Sequence, residues 1–211
     1  MKILTKTARS ENYGGARGAV IRFIVVHFTS NLGDSAKNNA DYFAREIVKA
    51  SAHYFVDETE IWQSVPDDRV AWHCGGKTYY HAECRNSNSI GVEICMNGKN
   101  GSVRQGSIDH AAQLVRALMA RYGIPAERVL RHYDVTHKSC PAPMVEVPAR
   151  WQAFQKNLEV KTMANQNTPT AWAADAWEKA TEKKILDGTR PAEPVTRQEL
   201  AVILTRLELV K

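Results

Sequence analysis

An α/β fold, a mixed sheet flanked by helices with a small helical appendage, is predicted by three features of the 211-residue sequence. Short apolar runs rich in β-branched residues alternate with stretches of helical periodicity. The longest run, Ala19 to Phe28, is almost continuously apolar, as expected of a central strand covered on both faces. The apolar pattern then lapses over residues 160–168, and the remainder of the chain reads as helix alone. The expected organisation is a domain over 1–159, a linker over 160–168 and a helical unit over 169–211.

Residues 1–18 read as a polar lead-in ending in Gly14-Gly15 and Gly18. The strand Ala19 to Phe28 ends at His27, with Thr29-Ser30-Asn31 as the polar loop beyond. Asp34 or Ser35 caps a helix reaching about Lys49, with Ala36, Ala40, Phe43, Ala44 and Ile47 on one face. His53 to Asp57 and Ile61 to Gln63 alternate as a pair of strands turning at Asp57 to Glu60. Val70 to Asn88 is irregular and rich in His, Gly, Tyr and Asn, and so long a loop inside a domain is usually functional. Ser89 to Met96 is a strand interrupted by Glu93. Ile108 to Tyr122 is an amphipathic helix stopped by Gly123 and Pro125. A final helix of the domain spans about Pro148 to Leu158. In the appendage, Ala171 to Lys184 and Thr196 to Leu207 are helical patterns, and Thr196 with Glu199 forms a capping box. Two helices make a thin core, which points to an accessory or oligomerising unit.

Composition narrows the function classes. Hydrophobic content of 44% and charged content of 24% are those of a globular protein with a core. The net charge of +5 favours approach to an anionic polymer such as a cell wall but is too dispersed for nucleic acid. No apolar run is long enough for membrane insertion. The first residues lack the apolar stretch and cleavage site of an export signal, so the expectation is a protein made in the cytoplasm and released later to the wall. Four cysteines are too few for a disulfide scaffold. Cys74 and Cys84 flank the irregular loop and could pair after release, but free thiols are the expected state.

The chemistry concentrates in Leu130 to Pro143, LRHYDVTHKSCPAP. His132 follows the apolar pair Val129-Leu130 and should end a short buried strand or turn. Cys140 precedes Pro141 in a segment where Pro141 and Pro143 oppose regular helix. An imidazole and a thiolate on a rigid loop are two of the three ligands of a catalytic zinc, which leaves its fourth position open. His27, at a strand end, is the candidate third. The bland alternatives stand beside this: a buried cysteine is often a small hydrophobe, and His27 on its own fits a satisfied core histidine better than a ligand.

Four motifs in order, VVHFTS, SAHYFVDETEIWQSVPDDRVAWHCGG, NSIGVEIC and LRHYDVTHKSCPAP, resemble the type 2 N-acetylmuramoyl-L-alanine amidases over about residues 20–155. The resemblance implies the amidase type 2 fold and a Zn²⁺ cofactor on His27, His132 and Cys140. It also implies peptidoglycan as substrate, cut at the amide between N-acetylmuramic acid and L-alanine. Glu93, a carboxylate on an apolar strand, is the expected proton carrier, and Lys138 the expected stabiliser of the oxyanion. The position of a tyrosine catalytic in many such amidases falls on Ala52, so Tyr54, two residues on, is considered as a stand-in at the substrate. His73 is read either as lining the substrate groove or as holding the long loop together. His53 is expected to orient neighbours, and Trp62, Trp72 and Trp151 to be core. The tail, AWAADAWEKATEKKILDG with VTRQELAVILTRL, resembles an S-layer-homology-type motif over about residues 168–208. That implies docking on a secondary cell-wall polymer, with homo-oligomerisation through the tail as a further expectation. The functional expectation is a zinc-dependent endolysin. A non-catalytic wall-binding protein and a cysteine hydrolase using Cys140 with His132 are its rivals.

Overall fold

In the computed structural model of the chain, residues 1–159, 169, 173–189 and 197–209 are described. The chain divides into two units, Met1–Glu159 and Val160–Lys211.

The first unit is organised on alternation. In β3 (Phe23–Phe28) and β7 (Ser89–Ile94), residues two apart share a face of the sheet. Ile24, Val26, Ile90, Val92 and Ile94 join one apolar cluster, while Phe23 and Val25 join another. Both strands are therefore buried on both faces, as a continuous apolar run requires. Around them lie β1 (Leu4–Thr5), β4 (Tyr54–Val56), β5 (Ile61–Gln63) and β8 (Val129–Arg131), in the order β1-β5-β4-β7-β3-β8. β4 and β5 pair antiparallel as a hairpin, whereas β4, β7, β3 and β8 run parallel. The sheet is mixed. A second, two-stranded sheet joins β2 (Tyr13–Ala16) to β6 (Arg69–Ala71).

Helices cover both faces. α2 (Gln105–Tyr122) and α5 (Pro148–Leu158) bury Ile108, Leu114, Leu118, Phe154 and Leu158 against the Ile24–Val92 side. α2 stops at Gly123, whose φ of 62° is a left-handed cap that a side chain disfavours. α1 (Ala36–Arg45) covers the other side, packing Ala36 and Ala40 near Phe55 and Cys95. Its start is fixed twice, by Ser35 Oγ accepting from Asn38 N–H and by Asp57 Oδ2 accepting from Ala36 N–H.

Several expectations are corrected. The helix from Ser35 ends at Arg45 rather than Lys49, and Ile47 is 52% exposed. The reason is Asn12, fully buried: its Nδ2 donates to Phe43 O and Glu46 O, and its Oδ1 accepts from Val48 and Lys49 N–H. Those four bonds satisfy the helix end and turn the chain away. The polar lead-in supplies β1 and β2, strands that its sequence pattern does not announce. Arg17 anchors it by donating to carbonyls of Asp67, Ser87 and Arg69. Finally, a short helix α3 (His132–Thr136) intervenes between His132 and Cys140, ahead of the prolines and of α4 (Ala142–Val145).

In the second unit, α6 (Ala174–Glu182) and α7 (Arg197–Arg206) are helical as expected. Arg206 Nη1 donates to the carbonyls of Lys184 and Ile185, tying α7 to the end of α6. The linker 160–168, together with Trp172, Pro191, Pro194 and Thr196, lies outside the described residues.

Candidate metal centre

Parallel pairing brings four strand ends to one edge of the sheet, and register decides which side chains meet there. His27 pairs with Glu93 across β3 and β7, and Val26 pairs with Arg131 of β8, which places His132 next to His27. Alternation sends His27, Glu93 and Phe55 to the α1 face, opposite Val26, Val92 and Tyr54. Cys140 arrives from the loop after α3, its carbonyl accepting from Tyr133 N–H.

The three predicted ligands converge. The candidate ligand atoms of His27, His132 and Cys140 lie within 4.8 Å of one another, and all three residues are buried. Cys140 Sγ is 3.7 Å from His27 Nδ1, and the two imidazole centroids are 4.7 Å apart. Ligand bonds of about 2.3 Å to sulfur and about 2.0 Å to nitrogen, at a tetrahedral angle, span an edge of about 3.5 Å. The N···S separation therefore suits a tetrahedral ion.

Hydrogen bonding and charge agree with that fit. Neither ring nitrogen of buried His132 has a hydrogen-bond partner among the described residues. Orphaned buried polar atoms are costly and call for a ligand. Burial, then the nearby charge of Lys138, pushes the His132 pKa down to about 4. Burial, then the neighbouring His73 and His132, holds that of His27 well below its ordinary value. Both rings are thus neutral at pH 7 and keep a lone pair for a metal. Burial pushes the Cys140 thiol up to about 12, so its thiolate needs a cation beside it.

A cleft of about 870 Å³ reaches the site at Cys140 and is lined also by Thr29, Asn38, Tyr42, Trp72, Glu93 and Lys138. Glu93 has its pKa raised to about 7, first by burial, with the Lys138 charge opposing and Asp34 adding. Its Oε2 is buried without a partner among the described residues. Lys138 sits on the exposed rim, just after His137, whose φ of 61° caps α3.

Of the two expected substrate residues, Tyr54 lies elsewhere and His73 lines the cleft. Tyr54 is buried on the α2 face, and its hydroxyl donates to Asp67 at 2.9 Å. The rule that residues two apart share a face does not carry from Ala52 to Tyr54, because the strand begins only at Tyr54, after a bend at His53. Ala52 and Phe55 line the cleft; Tyr54 does not. His73 does line it, but both its ring nitrogens meet protein groups, His27 Nε2 at 3.0 Å and Ser89 Oγ at 3.1 Å. His53 is likewise held, accepting from Gly91 N–H at Nδ1, with Nε2 3.2 Å from Arg69 O. Sequence reasoning missed the cleft wall of Asn38, Tyr42 and Trp72, since the period of α1 speaks only for its buried face. It also assigned Trp72 to the core, whereas the ring is half-buried in the cleft.

Residues 17–143 match the N-acetylmuramoyl-L-alanine amidase family. The chain is 36% identical over 154 residues to the N-acetylmuramoyl-L-alanine amidase CwlL of Bacillus licheniformis, covering 69% of this chain and 42% of that one. The chain spans about half the length, 42% to 54%, of the curated relatives it matches. Its fold is similar to the catalytic domain of XlyA, with 28% identity, a TM-score of 0.64, and coverage of 75% of this chain and 99% of that one. It is also similar to a mutant endolysin from Bacillus subtilis, with 28% identity, a TM-score of 0.64, and coverage of 74% and 98%.

Proposed function

The chain belongs to the N-acetylmuramoyl-L-alanine amidase family, and from that premise we propose that it is a zinc-dependent lytic amidase of bacterial peptidoglycan. The bond cut is the amide between N-acetylmuramic acid and L-alanine. The observation that carries the proposal is the convergence of His27, His132 and Cys140, with Glu93 and Lys138 lining the cleft that reaches Cys140.

In this reading His27, His132 and Cys140 hold Zn²⁺. When bound, the ion supplies Lewis acidity towards the amide carbonyl and acidifies water. Glu93 takes a proton from the attacking water as the carbon–oxygen bond forms. It returns that proton to the alanine nitrogen as the carbon–nitrogen bond breaks, leaving a lactyl carboxylic acid and a free amine. Lys138 faces the oxygen on which negative charge develops. Asn38, Tyr42 and Trp72 form the wall along which the glycopeptide lies.

Incubating the full chain with purified walls and weighing the released fragments tests this. New L-alanine amino termini are expected, lost with a chelator and regained with zinc. Wall binding without release would favour the non-catalytic reading, and full activity in metal-free protein would remove the zinc mechanism. A cysteine hydrolase is the weaker rival, because a nucleophilic thiol needs a depressed pKa and burial drives that of Cys140 the other way.

The endolysin role is supported by the likeness to a protein described as one. For the tail we propose docking on a secondary cell-wall polymer, with self-association through the same unit; its support is the sequence resemblance. Removing residues 161–211 is expected to reduce sedimentation with host walls more than hydrolysis of soluble fragments. Unchanged sedimentation would refute that role.

A further inference from the structure

We infer that His73, held between Ser89 and Gly91, is a positioning residue that fixes the tautomer of His27 and so aims its bare Nδ1 at the metal position. The inference rests on the zinc reading above and deepens it.

The hydrogen bonds run in one direction. Ser89 Oγ lies 2.7 Å from the carbonyl of Arg85, which can only accept, so the single hydroxyl proton is committed there. Towards His73 Nε2, at 3.1 Å, Ser89 Oγ can then only accept, and Nε2 carries the ring proton. A neutral imidazole has one N–H, so His73 Nδ1 is bare. It accepts, at 3.0 Å, from His27 Nε2, which must therefore be protonated. The lone pair of His27 is left on Nδ1. That is the nitrogen facing Cys140 Sγ at 3.7 Å.

The surroundings hold the relay in place. Ser89 is fully buried, beyond the reach of competing water. The backbone N–H groups of His73 and Cys74 both donate to Asn86 Oδ1, fixing the base of the side chain. Gly91 is the floor. A Cβ there would fall 2.4 Å from His73 Cγ, so only glycine lets the ring lie on β7. The one glycine of SIGVEI, on the face it shares with Glu93, thus marks where an imidazole rests on the sheet. Partners of this kind set the tautomer and orientation of metal-ligating histidines.

The direct test reads the tautomer in the uniformly ¹⁵N-labelled full chain, metal-free, from long-range proton–nitrogen correlations of the imidazoles. Protonation at Nε2 in both His27 and His73 is expected, with the Nδ1 resonance of His27 shifting when zinc is added. A His27 protonated on Nδ1 would overturn the inference. Ser89→Ala gives a second reading: the His27 signal should divide between tautomers, and zinc affinity, measured against a chromogenic chelator, should fall about 10- to 100-fold. Wild-type affinity with an undivided signal would also overturn it, and the wild-type spectrum decides should that variant not fold. Failure of the zinc reading is seen separately, as a wild-type chain that takes up no zinc whatever the tautomer of His27.

Discussion

Glu93→Gln is expected to lower turnover on peptidoglycan fragments by about 10²- to 10⁴-fold, the usual share of a general acid–base group, with bound zinc unchanged. The side chain sits one strand away from His27, in register with it, but outside the group of three convergent ligands. Glutamine keeps the shape and loses the proton-carrying oxygen, so a loss of rate without loss of metal isolates the proton role. Equal loss of zinc would instead make Glu93 a ligand or a structural support. The same substitution has a signature in stability. Burial raises the Glu93 pKa from an ordinary 4.5 to about 7, so between those values the folded chain holds a proton that the unfolded chain has released. The Glu93 contribution to stability of the metal-free protein should fall as pH rises through that window and level off above it, while buried neutral His27, His53 and His132, with lowered pKa values, contribute in the opposite sense. Glu93→Gln should remove the Glu93 contribution, so the slope measured against pH should become more positive than in the wild type. Thermal unfolding of the chelated protein at pH 4.5, 6 and 8 measures it; an unaltered slope would mean that Glu93 is solvated in solution.

Cys140→Ala is expected to abolish activity and to weaken zinc binding by more than the about 100-fold typical of losing an outer-shell partner. Two neutral imidazoles would remain, without the charge that offsets burial of the cation. Cys140→Asp restores an anionic ligand, and partial recovery of both zinc and turnover is expected. A thiol enzyme would show none, because its nucleophile would be gone. Metal content and released L-alanine amines, measured on both variants, separate the two cases.

Much of this is legible in residue order. The periods of Phe23–Phe28 and Gln105–Tyr122 name a two-sided strand and a one-sided helix, and the structure has both. The convergence of His27, His132 and Cys140 is legible because they sit at strand ends or beside a proline inside motifs that resemble an amidase family. The features that escape a sequence reading depend on contacts between distant segments. Nothing near Lys49 shows that Asn12 cuts α1 short, 31 to 37 residues away. Tyr54 departs from expectation because the two-residue period holds only inside a strand, and the strand starts there. His73 reads equally as groove lining or as loop support because its partners, His27 and Ser89, lie 46 and 16 residues away.

The separation of the ligands has a consequence for the protein's own synthesis. His27 and Cys140 stand 113 positions apart, and His132 follows β8, the outermost strand on its side of the sheet. In the zinc reading, a nascent chain lacks two of the three candidate donors until His132 and Cys140 have emerged. A product ending before Cys140 therefore carries an incomplete ligand set.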